Sequence, residues 1–188
     1  QLATMAKRFN VYLVAGSIPV ASKVAGKFTN TCVVFSPDGE ELASYDKLHL
    51  FDVEVDDNEK SYCESRFALA GEHTSVIDIS DTKLGLSICY DLRFPELFRA
   101  MRAAGAEIIV LPAAFTKVTG VAHWMPLLQA RAIENQCFVL AAAQWGQHNS
   151  RYFAKLLKAR DHWRLYPHFR SNTAFLDIET NGIPSPYG

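Results

Sequence analysis

Short apolar runs alternate with segments of helical spacing from the first residues of the chain onward. The spacing over residues 2–9 predicts a helix, and the runs VYLVAG (11–16) and TCVVF (31–35) have the length of buried strands. The second run is followed by Pro37-Asp38-Gly39, whose turn chemistry predicts a hairpin into a further strand at 41–45.

The same alternation continues to about residue 143. Pro95 and Gly105 bracket one helical segment as a helix start and a helix stop. The elements predicted here are strands at 75–79, 84–89, 107–111 and 138–143 and helices at 94–104 and 123–135. Strands that alternate with helices, with hairpins among them, predict an α/β fold in which helices cover a mixed sheet.

Composition excludes several classes of protein. The chain has 188 residues, 49% of them hydrophobic, and a formal net charge of -1, which is typical of a globular protein and excludes a disordered or collagen-like chain. The longest apolar stretches, such as 139–143, are far shorter than the roughly 18 residues of a membrane-spanning helix, so no membrane partner is expected. The four cysteines form no CxxC pair, which favours a reducing, cytoplasmic setting.

Charge changes sign near residue 150. Residues 151–170 carry six Lys or Arg and one acid, whereas residues 1–150 carry 13 basic and 17 acidic residues. We therefore divide the chain into domains at 1–150 and 151–188. A solvated basic helix explains the second segment, and a segment that faces nucleic acid is the alternative, although the net charge makes nucleic acid an unexpected partner.

Cys89 is the first candidate for chemistry. It ends an apolar strand and precedes a helix, where a nucleophile can be held exposed while backbone N–H groups face a reacting carbonyl. A buried packing role is the alternative, because free cysteine is among the most buried residues. Lys47, in the segment YDKLHLFD, ends another strand and is either a surface charge or the cation that stabilises a thiolate and an oxyanion.

The segments YDKLHLFDVEV, GLSICYDLRFPELFRAM, PAAFTKVTGVAHW and LLQARAIENQCFVLAAAQ resemble the carbon–nitrogen hydrolase (nitrilase) superfamily, over about residues 2–148. The resemblance implies an α-β-β-α sandwich, here truncated at both ends, and hydrolysis of a small-molecule amide without a metal or organic cofactor. It implies Cys89 as the nucleophile, Lys47 as the catalytic lysine and the Tyr90 N–H as an oxyanion donor. It also makes a homodimer plausible.

The same resemblance assigns further residues. Glu64 matches a family glutamate beside the lysine, with a solvated loop carboxylate as the alternative. His123 and Trp124 match residues that line the pocket, although by themselves they fit a helix-start histidine and a core indole. The general-base glutamate of the family lies upstream of the strand at 11–16, where this sequence has none, so impaired catalysis is expected.

Within the superfamily, residues 63–65 and 130–144 most resemble deaminated-glutathione amidases, with the ω-amidases of 2-oxo-dicarboxylate amides as the alternative. Near the end, residues 173–182 resemble the first motif of ribonuclease H-like exonucleases, with Asp177 and Glu179 on one face of a strand. An impaired amidase is therefore the leading hypothesis. The alternatives are an inactive fragment or binding remnant, and a metal-dependent exonuclease module in the C-terminal segment.

Overall fold

A computed structural model describes residues 1–54, 61–144, 146–148, 151–153 and 157–158. The α-helices are α1 (Leu2–Phe9), α2 (Pro95–Ala103), α3 (Lys117–Thr119) and α4 (Met125–Asn135), and a π-helical turn over Gly120–Trp124 joins the last two. The strands are β1 (Leu13–Ala21), β2 (Phe28–Phe35), β3 (Glu41–Asp46), β4 (Asp52–Glu54), β5 (Ser61–Cys63), β6 (Ala68–Leu69), β7 (Ser75–Ile79), β8 (Thr82–Leu86), β9 (Ile108–Val110), β10 (Phe138–Ala141), β11 (Gly146–His148), β12 (Arg151–Phe153) and β13 (Leu157–Lys158).

The strands form two larger sheets. In the first sheet, β1, β2 and β3 are antiparallel neighbours in chain order, and β6 adds to β2 in parallel. In the second, the order is β13-β10-β9-β8-β7, with a parallel centre of β8, β9 and β10 and antiparallel pairings at both edges. Strands β4 and β5 form a separate hairpin.

Two cores define the layers. One lies between the sheets and includes Cys32 and Val34 of the first sheet and Leu86 of the second. The other lies between the second sheet and helices α2 and α4, and includes Phe98 and Leu128. Helix α1 packs against β1 and β2 on the outer side of the first sheet. The order helix, sheet, sheet, helix confirms the predicted α-β-β-α sandwich.

Helix α2 follows the sequence signals closely. Pro95 occupies its first turn, where a missing N–H costs no hydrogen bond, and Gly105 adopts a φ of 97° just beyond its end. Helix α4 is attached to the segment before α2 by Arg131, whose Nε donates to the carbonyl of Leu92 at 3.0 Å. The helices on this face therefore hold the turn that contains Cys89 from outside.

The structure differs from the sequence prediction after residue 150. A helix was expected from residue 151, but Arg151–Phe153 and Leu157–Lys158 are strands, the first paired with β11 and the second with β10. Tyr and Phe favour strands, which explains the hairpin of β11 and β12. The rest of the predicted basic helix, together with Asp177 and Glu179, lies outside the described residues. Among the helices that are described, none is long and apolar enough to cross a membrane.

Candidate active site

Cys89 lies at the turn between the second sheet and helix α2. Strand β8 ends at Leu86, and a 3-10 helix begins at Cys89 and runs to Arg93. The cysteine has a φ of 49°, in the left-handed region that residues other than glycine rarely adopt. Its N–H donates to the carbonyl of Pro112 at 2.9 Å, which fixes this conformation. The predicted strand-to-helix turn is present, and its strain is typical of a functional position.

Lys47 follows directly after β3 and is 2% exposed. Its backbone N–H donates to the carbonyl of Asn30 on the neighbouring strand at 2.9 Å, which continues the sheet pairing by one residue. Its Nζ lies 2.5 Å from Oε2 of Glu64. The lysine is therefore a buried cation with a carboxylate partner, and the alternative of a surface charge is wrong.

Glu64 is held in place by three donors. Besides Lys47, its carboxylate accepts from the backbone N–H of Phe51 at 2.7 Å and from Nδ2 of Asn30 at 3.2 Å. The hairpin of β4 and β5 pairs Asp52 with Cys63, and this pairing brings the next residue, Glu64, beside Lys47. Only 18% of the Glu64 side chain is exposed, so it is not the solvated loop carboxylate of the alternative interpretation.

A cavity of about 960 Å³ joins these residues. Lys47, Glu64, Cys89 and Tyr90 all line it, so the structure brings four of the six predicted site residues together. The N–H of Tyr90 lies in the first turn of the 3-10 helix, where N–H groups have no acceptor within the helix. The ring of Tyr90 packs edge-on against that of Phe51, with 5.0 Å between their centroids, and this pair forms part of the cavity wall.

The electrostatics of the thiol combine opposing effects. Burial raises the pKa of Cys89 above its ordinary value of 9.0, and the positive charge of Lys47 and a hydrogen bond from the Ala114 backbone oppose this rise. Burial is the largest of these effects, so the site favours the neutral thiol over the thiolate. A group that removes its proton at the moment of attack is therefore a chemical requirement of this site.

The structure brings neither His123 nor Trp124 to the cavity, contrary to the sequence prediction. Both lie in the π-helical turn, whose wider spacing places His123 outside, with its Nδ1 3.3 Å from a guanidinium nitrogen of Arg93. Trp124 is 1% exposed and packs on Phe115 with ring centroids 4.9 Å apart. Its indole N–H has no hydrogen-bond partner among the described residues. The alternative interpretation of Trp124 as a core indole is the one that the structure supports.

Sequence reasoning missed two residues of this region. Asn30 lies on the cavity wall and binds Glu64, and its polar neighbours Thr29 and Thr31 leave no sequence signal that sets it apart. Asp91 is completely buried two residues after the cysteine, and an acid in so apolar a segment was a sequence signal. Among the described residues, no group of three or more His, Cys, Asp or Glu side chains is placed to hold a metal ion.

Comparison with known proteins gives the family. The carbon-nitrogen hydrolase family model matches residues 1–156, and the chain belongs to this family. The deaminated glutathione amidase of Yersinia enterocolitica is 51% identical over 151 residues, which cover 80% of this chain and 53% of the relative. The human omega-amidase is 41% identical over 154 residues, which cover 82% of this chain and 55% of the relative. The chain spans about half the length of these curated relatives.

A solved structure supports the same relationship. The amidase from Nesterenkonia sp. AN1, from the nitrilase superfamily, superimposes with a TM-score of 0.68 and 30% identity over 81% of this chain and 56% of the amidase chain. That structure shows the Michael addition of acrylamide at the active site cysteine of the amidase.

Proposed function

We propose that this protein is an amidase that hydrolyses small carboxamides through a thioester on Cys89. The observation that carries the proposal is the shared cavity. A strained cysteine at a strand-to-helix turn and the buried ion pair of Lys47 and Glu64 face the same space. A nucleophile, a cation and a carboxylate beside one cavity are the groups that acyl transfer by a thiol requires.

The proposed reaction has two stages, acylation of Cys89 and hydrolysis of the resulting thioester. The sulfur of Cys89 bonds to the amide carbon, and the electron pair of the carbonyl moves to its oxygen. Collapse of this intermediate breaks the C–N bond, and ammonia or an amine leaves with the proton that the thiol gave up. Water then attacks the thioester, the C–S bond breaks, and the acid leaves while the thiol regains its proton.

Two donors suit the developing oxyanion. Lys47 supplies a positive charge that is shielded from water, and Tyr90 supplies a backbone N–H at the start of its short helix. Preorganised donors of this kind contribute about 10²- to 10³-fold each to the rate of acyl transfer. Glu64 orients Lys47, because the ion pair between them fixes the position of the Nζ beside the cavity.

Transfer of the thiol proton from Cys89 to the leaving amine requires a carboxylate, and we propose that this transfer limits the rate. Among the described residues that line the cavity, Glu64 is the one acid, and three donors already bind it. Because those donors occupy Glu64, we propose that the described site turns over about 10²- to 10⁴-fold more slowly than a site with a free general base.

The proposed substrates are short amides of carboxylic acids. Two relatives support this choice by name, one a deaminated glutathione amidase and the other an omega-amidase. Because the first is the more similar at 51% identity, we propose deaminated glutathione ahead of the amides of 2-oxo-dicarboxylic acids. No metal or organic cofactor enters the proposed reaction. The further proposal of a cytoplasmic protein rests on the cysteine pattern, and that of a homodimer rests on the family resemblance.

Release of ammonia or amine from both substrate types tests the proposal. The intact chain is compared with Cys89→Ala and with Cys63→Ala, which removes the other thiol on the cavity wall. We expect Cys89→Ala to abolish the release and Cys63→Ala to retain it. Equal release by the intact chain and Cys89→Ala, in proteins that unfold cooperatively, contradicts the proposal.

A further inference from the structure

A single buried carboxylate connects the two halves of the candidate active site. Asp91 is 0% exposed and accepts four hydrogen bonds. Its Oδ2 accepts from the hydroxyl of Tyr45 and from the N–H of Ile88, both at 2.8 Å. Its Oδ1 accepts from the N–H of His49 at 3.1 Å and from Nδ1 of the same histidine at 2.7 Å.

These donors flank the two reactive groups in sequence. Tyr45 and His49 lie two residues before and two residues after Lys47, while Ile88 immediately precedes Cys89. The hydroxyl of Tyr45 also accepts from the N–H of Leu48 at 3.2 Å. The loop that carries the lysine is thus bound to the turn that carries the cysteine, across the boundary between the two sheets.

The surroundings keep this connection rigid. The ring of His49 stacks on that of Phe94, with centroids 3.7 Å apart and planes 8° from parallel. Burial, and then the charge of Asp91, raise the pKa of Tyr45, so its hydroxyl stays a neutral donor. A carboxylate in this apolar interior is stable because four donors satisfy its oxygens. Its removal would leave those donors buried without an acceptor.

We propose that Asp91 is a positioning residue that sets the distance between the Nζ of Lys47 and the Sγ of Cys89. It does not touch the cavity, since it is absent from the residues that line it. It acts through the backbone on either side of both groups. The inference rests on the proposed roles of Lys47 and Cys89, and it adds a residue whose effect on chemistry is indirect.

Geometry and charge make opposite predictions for the substitution Asp91→Asn. The negative charge of Asp91 itself opposes thiolate formation at Cys89, so loss of that charge alone would make the thiol more reactive. If Asp91 instead positions the two groups, the substitution moves the Nζ of Lys47 away from the Sγ of Cys89 and makes the thiol less reactive. The direction of change therefore separates a positioning role from a purely electrostatic one.

The test measures alkylation of Cys89 by iodoacetamide, a reaction that forms an S–C bond, releases iodide and requires no turnover. Peptide mass spectrometry at pH 8 follows Cys89, and the buried Cys32 and Cys137 serve as internal reporters of unfolding. We expect Asp91→Asn to slow alkylation of Cys89 by about threefold or more, because its thiolate fraction falls. Tyr45→Phe is expected to slow it less and in the same direction.

A control variant and a kinetic readout complete the design. Ser36→Ala removes another buried side-chain acceptor, one that binds the N–H groups of Asp38 and Glu40 in the β2–β3 turn, and it is expected to leave the alkylation rate unchanged. In steady-state assays, Asp91→Asn is expected to lower kcat by about a hundredfold with KM within threefold, since misplacement affects the chemical step.

The outcomes are distinct. Slower alkylation of Cys89 without reaction of Cys32 or Cys137 supports the inference, even if no amide is hydrolysed and the proposed function fails. Faster or unchanged alkylation of Cys89 in Asp91→Asn overturns the inference. Reaction of all three cysteines at one common rate also overturns it, because Asp91 then serves only global stability.

Discussion

Nζ of Lys47 lies 2.5 Å from Oε2 of Glu64, and both side chains are largely withdrawn from water. Substitution Glu64→Gln keeps the shape of the side chain and leaves the lysine as a buried charge without its counter-ion. We expect it to lower the free energy of unfolding by about 3 kcal/mol and to reduce kcat by about a hundredfold. Urea unfolding and steady-state kinetics measure the two effects.

The matched control for this prediction is Asp52→Asn. Asp52 lies on the same hairpin, and its exposed carboxylate accepts from the N–H of Ser65 at 3.0 Å without contacting the lysine. It is expected to change kcat by less than about twofold. Equal losses in the two variants would show that the hairpin is simply unstable to substitution and would contradict a specific role for Glu64.

The pH dependence of thiol alkylation reports the charge of Lys47. Burial holds the pKa of Cys89 above 9.0, and the lysine reduces that rise. Lys47→Met is therefore expected to move the midpoint of the profile to higher pH and to slow alkylation at pH 8. Lys83→Met, which removes an exposed lysine paired with Asp78, is expected to leave the profile in place. A profile that does not move in Lys47→Met would place the ammonium too far from the sulfur.

The effect of substitutions on KM separates residues that line the cavity, such as Phe51, from His123, which lies outside it. Because His123 is exposed and contacts Arg93, His123→Ala is expected to leave KM and kcat within about twofold of the parent. Phe51→Ala removes a ring from the wall and is expected to raise KM by about tenfold, which corresponds to about 1.4 kcal/mol. A large rise of KM in His123→Ala alone would restore the original prediction for that histidine.

Alkaline stability depends on a buried thiol outside the site. Burial raises the pKa of Cys32 from 9.0 to about 12. Between these values the unfolded chain loses a proton that the folded chain retains, so the free energy of unfolding falls as pH rises, by about 1.4 kcal/mol per pH unit for one proton. Cys32→Ala is expected to flatten this decline. Denaturant unfolding from pH 8 to 11 measures it, and an unchanged slope in the variant would assign the decline to other groups.

The sequence predicted the layers of the fold because its strong signals are local. Helix α1 has the predicted bounds, and α2 begins at Pro95, within one residue of its expected start. The cysteine turn was predictable for the same reason, because a strand, a cysteine and a proline-initiated helix follow one another directly. The short strands β4 and β6 have too few residues to show a period, so they could not be predicted.

The features of the candidate site that could not be predicted from the sequence depend on distant contacts or on an irregular turn. The carboxylate of Asp91 accepts hydrogen bonds from Tyr45 and His49, which lie more than 40 residues away in the chain, and no local spacing shows that relationship. The prediction that His123 and Trp124 line the cavity failed because a π-helical turn changes the face on which a residue lies. The pattern of apolar residues in this segment fits a regular helix equally well, so the sequence did not show the π-helical turn.

The mass of the cysteine peptide during reaction with substrate tests the proposed thioester on Cys89 most directly. The protein is quenched in acid within the first turnovers and digested with trypsin, so that Cys89 lies in the peptide 84–93 and Cys63 in the peptide 61–66. We expect an acyl adduct on the peptide 84–93 that disappears with time and is absent in Cys89→Ala. An acyl group found only on the peptide 61–66, or amide hydrolysis without any acyl adduct on Cys89, would contradict it.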